Sequence, residues 1–324
     1  MKALTLSRSA LGISAAAALL AGCGAQGAMP QASALATRVA HGGSWALPEA
    51  ATSDLLYVSD AGYLSMYTYP KGKLVGTIHN DNFNILAGEC VDAKGDVFVS
   101  NLGNGKVFEY KHGSKKLLET LDPPAAEGAL DCSIDPTTGN LAVTYLEGTG
   151  GTKGSVAIYA HAQGSPQIYT APDIHGYFFC GYDNRGNLFV DGQRSGLGTF
   201  HLAELQAGRS KFVDISLNQK ITYPGSVLWD GKYLAIGDQY RTAPDVYEFS
   251  ITGSAGTLVN TTPLNGVSGD GANWIQGRRI LAANRFSKYQ RVEVFAYPAG
   301  GNPTKIVTKD VLRPLGLTVS LAPR

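Results

Sequence analysis

From Leu55 onward the chain alternates short apolar runs with Asp and Gly, and the runs are too short for helices. Only Leu202–Gln206 hints at a helical turn. The clearest stretch is Cys90–Asn101, CVDAKGDVFVSN: an apolar run, an Asp, a Gly turn, then an alternating Val/Phe/Val strand. It returns at Cys132–Thr144, at Cys180–Asp191 and, more loosely, at Val227–Gly237. Asp followed closely by Gly is turn chemistry. The carboxylate accepts from local backbone N–H groups, and Gly takes the positive φ a tight hairpin needs.

The turn glycines Gly95, Gly139, Gly186, Gly231 and Gly277 stand 44, 47, 45 and 46 residues apart. A third, aromatic-rich strand follows each hairpin, as at Val107–Tyr110 and Val292–Tyr297, and a weaker fourth closes the unit, as at Leu117–Leu121. Four antiparallel strands repeating every 45 residues or so predict the blades of a β-propeller. The first unit, from Leu55–Val58, lacks its first strand, whereas Arg313–Leu321 is a lone first strand after the sixth unit. The pattern therefore predicts an all-β, six-bladed propeller of four-stranded antiparallel blades, with the C-terminal strand 313–321 closing the ring in blade one and removing both edges.

Two segments also resemble a known group. Asp92-Ala-Lys-Gly95-Asp-Val-Phe-Val99 is similar to the Asp-x-x-Gly-Asn-Val-Tyr-Val segment, and Leu56-Tyr57-Val58-Ser59-Asp60 to the Leu-Tyr-Val-Ser/Thr-Asn/Asp segment, of NHL, YVTN and SMP-30/gluconolactonase-like propellers. The resemblance covers roughly residues 52–324 and implies the fold. Its members include enzymes, ligand binders and scaffolds, so it does not fix an activity.

The N-terminus changes the picture of location. Lys2 and Arg8 precede the apolar stretch Ala10–Leu20, and Leu20-Ala21-Gly22-Cys23 follows. This is a secretory signal that resembles the bacterial lipobox. It predicts a signal peptide over residues 1–22, lipid attachment at Cys23, a Gly/Ala/Ser-rich tether over 23–50 and a propeller over 51–324. Trp45 is placed to pin the tether to the domain. The expected location is the cell envelope, at the outer membrane or cell surface, facing periplasm or exterior, with the membrane reached through the lipid. A formal net charge of +1 gives no case for nucleic acid.

Cys90, Cys132 and Cys180 occupy nearly the same place in successive repeats and read first as small buried apolar residues. A Cys90–Cys132 or Cys132–Cys180 bridge is open to an exported chain. A three-thiolate metal site is the remaining alternative.

In a propeller, the loops entering the first strand and leaving the second share one face of the disc. Here they carry Glu89, Asn101, Asp131, His175, Asp191, Asp238, Asp270 and Asn284 as candidate ligand or metal residues, with Glu127, Tyr223, Asn273, Arg285 and Arg313 beside them. Asp and Asn suit Ca²⁺ or another divalent cation, or a polyhydroxylated ligand. They are also common turn formers. The gluconolactonase resemblance implies a cation held by a Glu, two Asn and an Asp, parts that Glu89, Asn101, Asn284 and Asp238 could take by type and loop position. No Gly-x-Ser-x-Gly elbow and no metal-spaced His or Cys pair occurs, and Gly148–Gly154 reads as a blade insertion. The leading expectation is a binding protein for a small molecule, polysaccharide or protein at one propeller face. The alternative is a metal-dependent lactonase or hydrolase.

Overall fold

The computed structural model describes residues 43–60, 62–124, 128–146, 152–194, 198–239, 244–286, 290–307, 311 and 313–323. Cys23, Glu127, the signal segment and most of Gly148–Gly154 lie outside them.

Six sheets are arranged as the blades of a propeller. The innermost strands are Leu86–Val91, Ala129–Ile134, Gly176–Tyr182, Pro224–Trp229 and Asp270–Gln276 in blades two to six. In blade one it is Gly316–Ser320, which runs antiparallel to Leu55–Ser59 from Leu55↔Ser320 to Ser59↔Gly316. The ring is thus closed by the C-terminal strand. Leu317 and Val319 are buried with Leu56, Val58 and residues of blade six.

The hairpin turns follow the sequence chemistry. Asp92 Oδ1 accepts from the backbone N–H of Lys94 and Asp96, at 2.9 and 2.8 Å. Asp183 Oδ1 does the same for Arg185 and Asn187, and Asp230 Oδ1 for Lys232 and Tyr233. Gly95, Gly186 and Gly231 adopt φ of 84°, 81° and 101°, open to Gly at little cost. The inner and second strands are buried on both faces because neighbouring blades cover each sheet. That is why they read as near-continuous apolar runs.

Three details depart from the sequence reading. Leu202–Gln206, which hints at a helical turn, forms none: Phe200–Leu205 is the third strand of its blade, as the repeat predicts, and pairs with Leu188–Gln193. Blades one and five carry a fifth strand. Trp45–Ala46 pairs with Gly76 and Thr77 in blade one, and Ser216–Leu217 runs parallel to Ala255–Gly256 in blade five. Finally, Cys90 and Cys132, read first as free apolar residues, form one of the two bridges the sequence leaves open, a disulfide joining blades two and three with Cα atoms 5.6 Å apart. Cys180 is free and buried.

Candidate functional site: the axial cavity

Cross-strand register defines one ring of six inner residues. Glu89 pairs with Val99, Cys132 with Val143, Cys180 with Val190, Val227 with Ile236, Asn273 with Ala282 and Leu317 with Val58. The residue of blade two that corresponds to Cys132 is therefore Glu89, and Cys90 is one place further on. Two members of the ring, Glu89 and Asn273, are polar. They flank the blade that contributes Leu317.

All six line a cavity of about 360 Å³ on the propeller axis. It runs from Glu89, Asp131, Ser226 and Asn273 past Tyr182, Trp229 and Trp274 to the hairpin turns at Pro136, Asp183 and Asn184. At the other end, where the first strands begin, Ala87, Leu130, Phe178, Tyr223 and Ala272 from five blades pack in one apolar cluster. Phe178 and Tyr223 meet edge-on with centroids 5.5 Å apart. The axis is plugged on that face and hollow on the turn face.

The cavity's deep end is polar and incompletely bonded. Glu89 is 4% exposed, and neither carboxylate oxygen has a well-formed hydrogen bond among the described residues. Asn273 is 3% exposed, and its side-chain oxygen and nitrogen are likewise unpartnered. A buried polar group left in this state costs about 1–3 kcal/mol. Room for the Glu89 carboxylate comes from Gly316, where a Cβ would stand 2.1 Å from Oε2. Burial pushes Glu89 well above the usual carboxylate range; the nearby Ser59 offsets this in part, and Asp131 and Asp60 add to it. By contrast, Ser226 Oγ accepts from the Asn273 backbone N–H at 2.7 Å, and Asp131 Oδ2 accepts from the Cys180 N–H at 3.1 Å.

Burial pushes Asp131 up to about 7, although the N–H groups of Cys180 and Cys132 pull it down. An unfolded Asp titrates near 3.8. Between those values the folded protein holds a proton that the unfolded chain has released, so stability falls as pH rises through this window. Glu89 and Asp191 shift in the same direction. Urea unfolding is expected to give a free energy higher at pH 5 than at pH 8 by about 3 kcal/mol from Asp131 alone. Asp131→Asn is expected to flatten that slope.

The other sequence candidates are placed elsewhere. Asn101 Oδ1 accepts from the Asn84 and Gly103 N–H groups, and its Nδ2 donates to the Asn82 carbonyl. Asp238 takes the N–H groups of Thr222 and Tyr223, one on each oxygen. Asn284 accepts from the Ser268 N–H and donates to the Gly266 carbonyl and Glu293. These three side chains clamp the loop entering their own blade. Asp191 bridges two blades by accepting from Phe179 and Gly225 N–H groups at 2.8 and 3.1 Å. His175 is tied through its backbone to Gln193 and Gly154. Asp270 begins the first strand of blade six opposite Asn284. The structure brings Glu89 and Asp131 into one cavity, whereas Asn101, His175, Asp191, Asp238 and Asn284 do not line it.

The cation set of Glu89, Asn101, Asp238 and Asn284 does not fit, because three of its members have both polar atoms engaged with protein groups. Among the described residues, the group of His, Cys, Asp or Glu whose ligand atoms lie within 4.8 Å of one another is Asp92, Asp96 and Glu109, none of them a sequence candidate. Asp92 there holds its own turn, and burial, with Asp96 and Asp92 nearby, pushes Glu109 up to about 7.

Sequence reasoning missed the pairing of Glu89 with Asn273 and the aromatic walls. The signal was present. Counting back three residues from Asp92, Asp135, Asp183 and Asp230 gives Glu89, Cys132, Cys180 and Val227, whereas matching cysteine to cysteine slips the register by one.

No known protein-family model matches the chain, and no curated protein does. Solved structures share its fold at low identity. A chain of the nidogen/laminin complex superposes with a TM-score of 0.66 at 12% identity, over 84% of this chain and 100% of that one. A protein of unknown function from Bacteroides caccae gives 0.62 at 9%, over 83% and 99%. A functionally unknown protein from Desulfotomaculum acetoxidans gives 0.55 at 11%, over 83% and 99%. At such identities the likeness establishes the six-bladed propeller fold and nothing finer.

Proposed function

We propose that the protein is a non-catalytic binding protein of the cell envelope, anchored through lipid on Cys23, that takes a small uncharged polar molecule in the axial cavity. The observation that carries this reading is the pair of buried, unpartnered side chains Glu89 and Asn273 at the cavity's deep end. A carboxyl group with a raised pKa keeps its proton to higher pH than an exposed one, and in that form it both donates and accepts a hydrogen bond, as does an amide. Tyr182, Trp229 and Trp274 supply apolar faces beside them. Neutral acceptors and donors at one end and aromatic rings along the wall suit a polyhydroxylated ligand such as a sugar. A volume of about 360 Å³ lies in the range of small-molecule pockets. The signal and lipobox pattern supports export and anchoring. The fold itself is consistent with an interaction protein, and a chain of the nidogen/laminin complex shares it.

Two of the three tryptophans line the cavity and report on it directly. Titration with glucose, galactose, N-acetylglucosamine and glycerol is expected to give a saturable change in tryptophan emission for at least one of them. Asn273→Leu is expected to weaken that response at least tenfold. An emission indifferent to all four, or a response unaltered by Asn273→Leu, contradicts the reading.

A further inference from the structure

The opposite face of the propeller also holds a buried polar atom without a partner among the described residues. Arg285 follows the second strand of blade six, Arg279–Asn284, and is 5% exposed. Its Nε is buried without a hydrogen-bond partner among the described residues. Its Cζ lies 4.9 Å from the centroid of the Phe286 ring, and Phe286 is 47% exposed. A cation–π contact does not replace the hydrogen bond that the buried Nε–H lacks.

Burial pushes the Arg285 pKa down to about 10, and the like charge of Arg313, on the loop entering the closing strand, adds to it. That loop is firmly seated. The Arg313 N–H donates to Gln290 Oε1 at 2.7 Å, and the Ala272 N–H donates to the Leu315 carbonyl at 2.8 Å. Gly271 fits beneath the Pro314 and Leu315 carbonyls, where a Cβ would stand 2.9 and 2.8 Å away. Gln239 Nε2 of blade five donates to the Gly271 carbonyl at 2.7 Å. Loops of blades five, six and one therefore bring Arg285 and Arg313 to the same face of the propeller, and among the described residues neither forms an ion pair. Burying an unpaired charge is among the most costly arrangements a fold can keep. An oxyanion offers the planar, bidentate acceptor that guanidinium matches.

We propose that Arg285 and Arg313 form an oxyanion site, on the face opposite the axial cavity, for a small molecule bearing a carboxylate or phosphate group. Neither arginine nor Phe286 lines the axial cavity, so the site stands independently of the ligand proposed there.

Thermal unfolding of the full-length protein in sodium phosphate, sodium acetate and sodium chloride at matched ionic strength tests the site. Phosphate or acetate at 10 mM is expected to raise Tm by several degrees over chloride, with a saturating dose response. A response to acetate alone assigns a carboxylate, and a response to phosphate alone a phosphate. Arg285→Met is expected to abolish the response and to leave Tm in chloride at or above that of the wild type, since the stem's packing is kept and the unpaired charge removed. Arg313→Gln, at a partly exposed loop position, is expected to weaken the apparent affinity at least threefold while the protein stays folded. A wild type that treats phosphate, acetate and chloride alike overturns the proposal, as does an anion response that survives both substitutions.

Discussion

Removing residues 313–324 is expected to abolish cooperative folding rather than to trim a frayed end. The deleted segment holds the innermost strand of blade one, Gly316–Ser320, which pairs along its whole length with Leu55–Ser59. Leu317 and Val319 are 1% and 2% exposed, and burial of each contributes about 1.5–3 kcal/mol. Ser320 adds a hydrogen bond from Oγ to the Gly95 carbonyl at 2.7 Å, and the Ala322 N–H donates to Asp54. These sums approach the 5–15 kcal/mol that separates a typical domain from its unfolded state. Deletion would also uncover the edge of Leu55–Ser59, a template for aggregation. Circular dichroism melting is expected to lose its sigmoidal transition, and adding back a peptide of residues 313–324 to restore it in part. A sharp melt near the wild-type Tm contradicts ring closure by this strand.

Loss of the Cys90–Cys132 bridge is expected to cost about 4 kcal/mol, from the loop-closure entropy of a cross-link spanning 42 residues. The bridge ties inner strands of adjacent blades, so its removal loosens blade two against blade three at the cavity wall. In urea unfolding, Cys90→Ala with Cys132→Ala should shift the midpoint down, and reductant should move the wild type to the same place without affecting the variant. Equal stability of variant and wild type, or a further effect of reductant on the variant, contradicts the pairing. A structural disulfide belongs to oxidising compartments, which agrees with the export proposed from the N-terminal sequence.

The architecture was legible because it rests on local, repeated chemistry. Asp–Gly turns at nearly constant spacing mark each hairpin, and strands at Leu74–Ile78, Leu117–Leu121 and Gln167–Tyr169 begin and end where their apolar runs do. The site was less legible, for two reasons. A one-residue difference in register decides whether Glu89 or Cys90 occupies the ring position, and the cysteine match pointed to the wrong one. The Asp and Asn residues leaving the second strands looked like converging ligands, yet Asn101, Asp238 and Asn284 spend their polar atoms on the loops beside them. Only the fold shows that the axis is plugged by Phe178, Tyr223 and their neighbours on that face and hollow on the other. The unpartnered atoms of Glu89 and Asn273 are likewise a property of three-dimensional packing.

On the proposed function, Glu89 is kept polar for a ligand, at a cost to the fold. Equilibrium unfolding of ligand-free Glu89→Met measures that cost directly. The variant is expected to be more stable than the wild type by about 1–3 kcal/mol, because a buried carboxyl group with no well-formed hydrogen bond gives way to an apolar side chain of similar reach. A variant less stable than the wild type would show that Glu89 is a structural support of the inner ring, and would contradict the account.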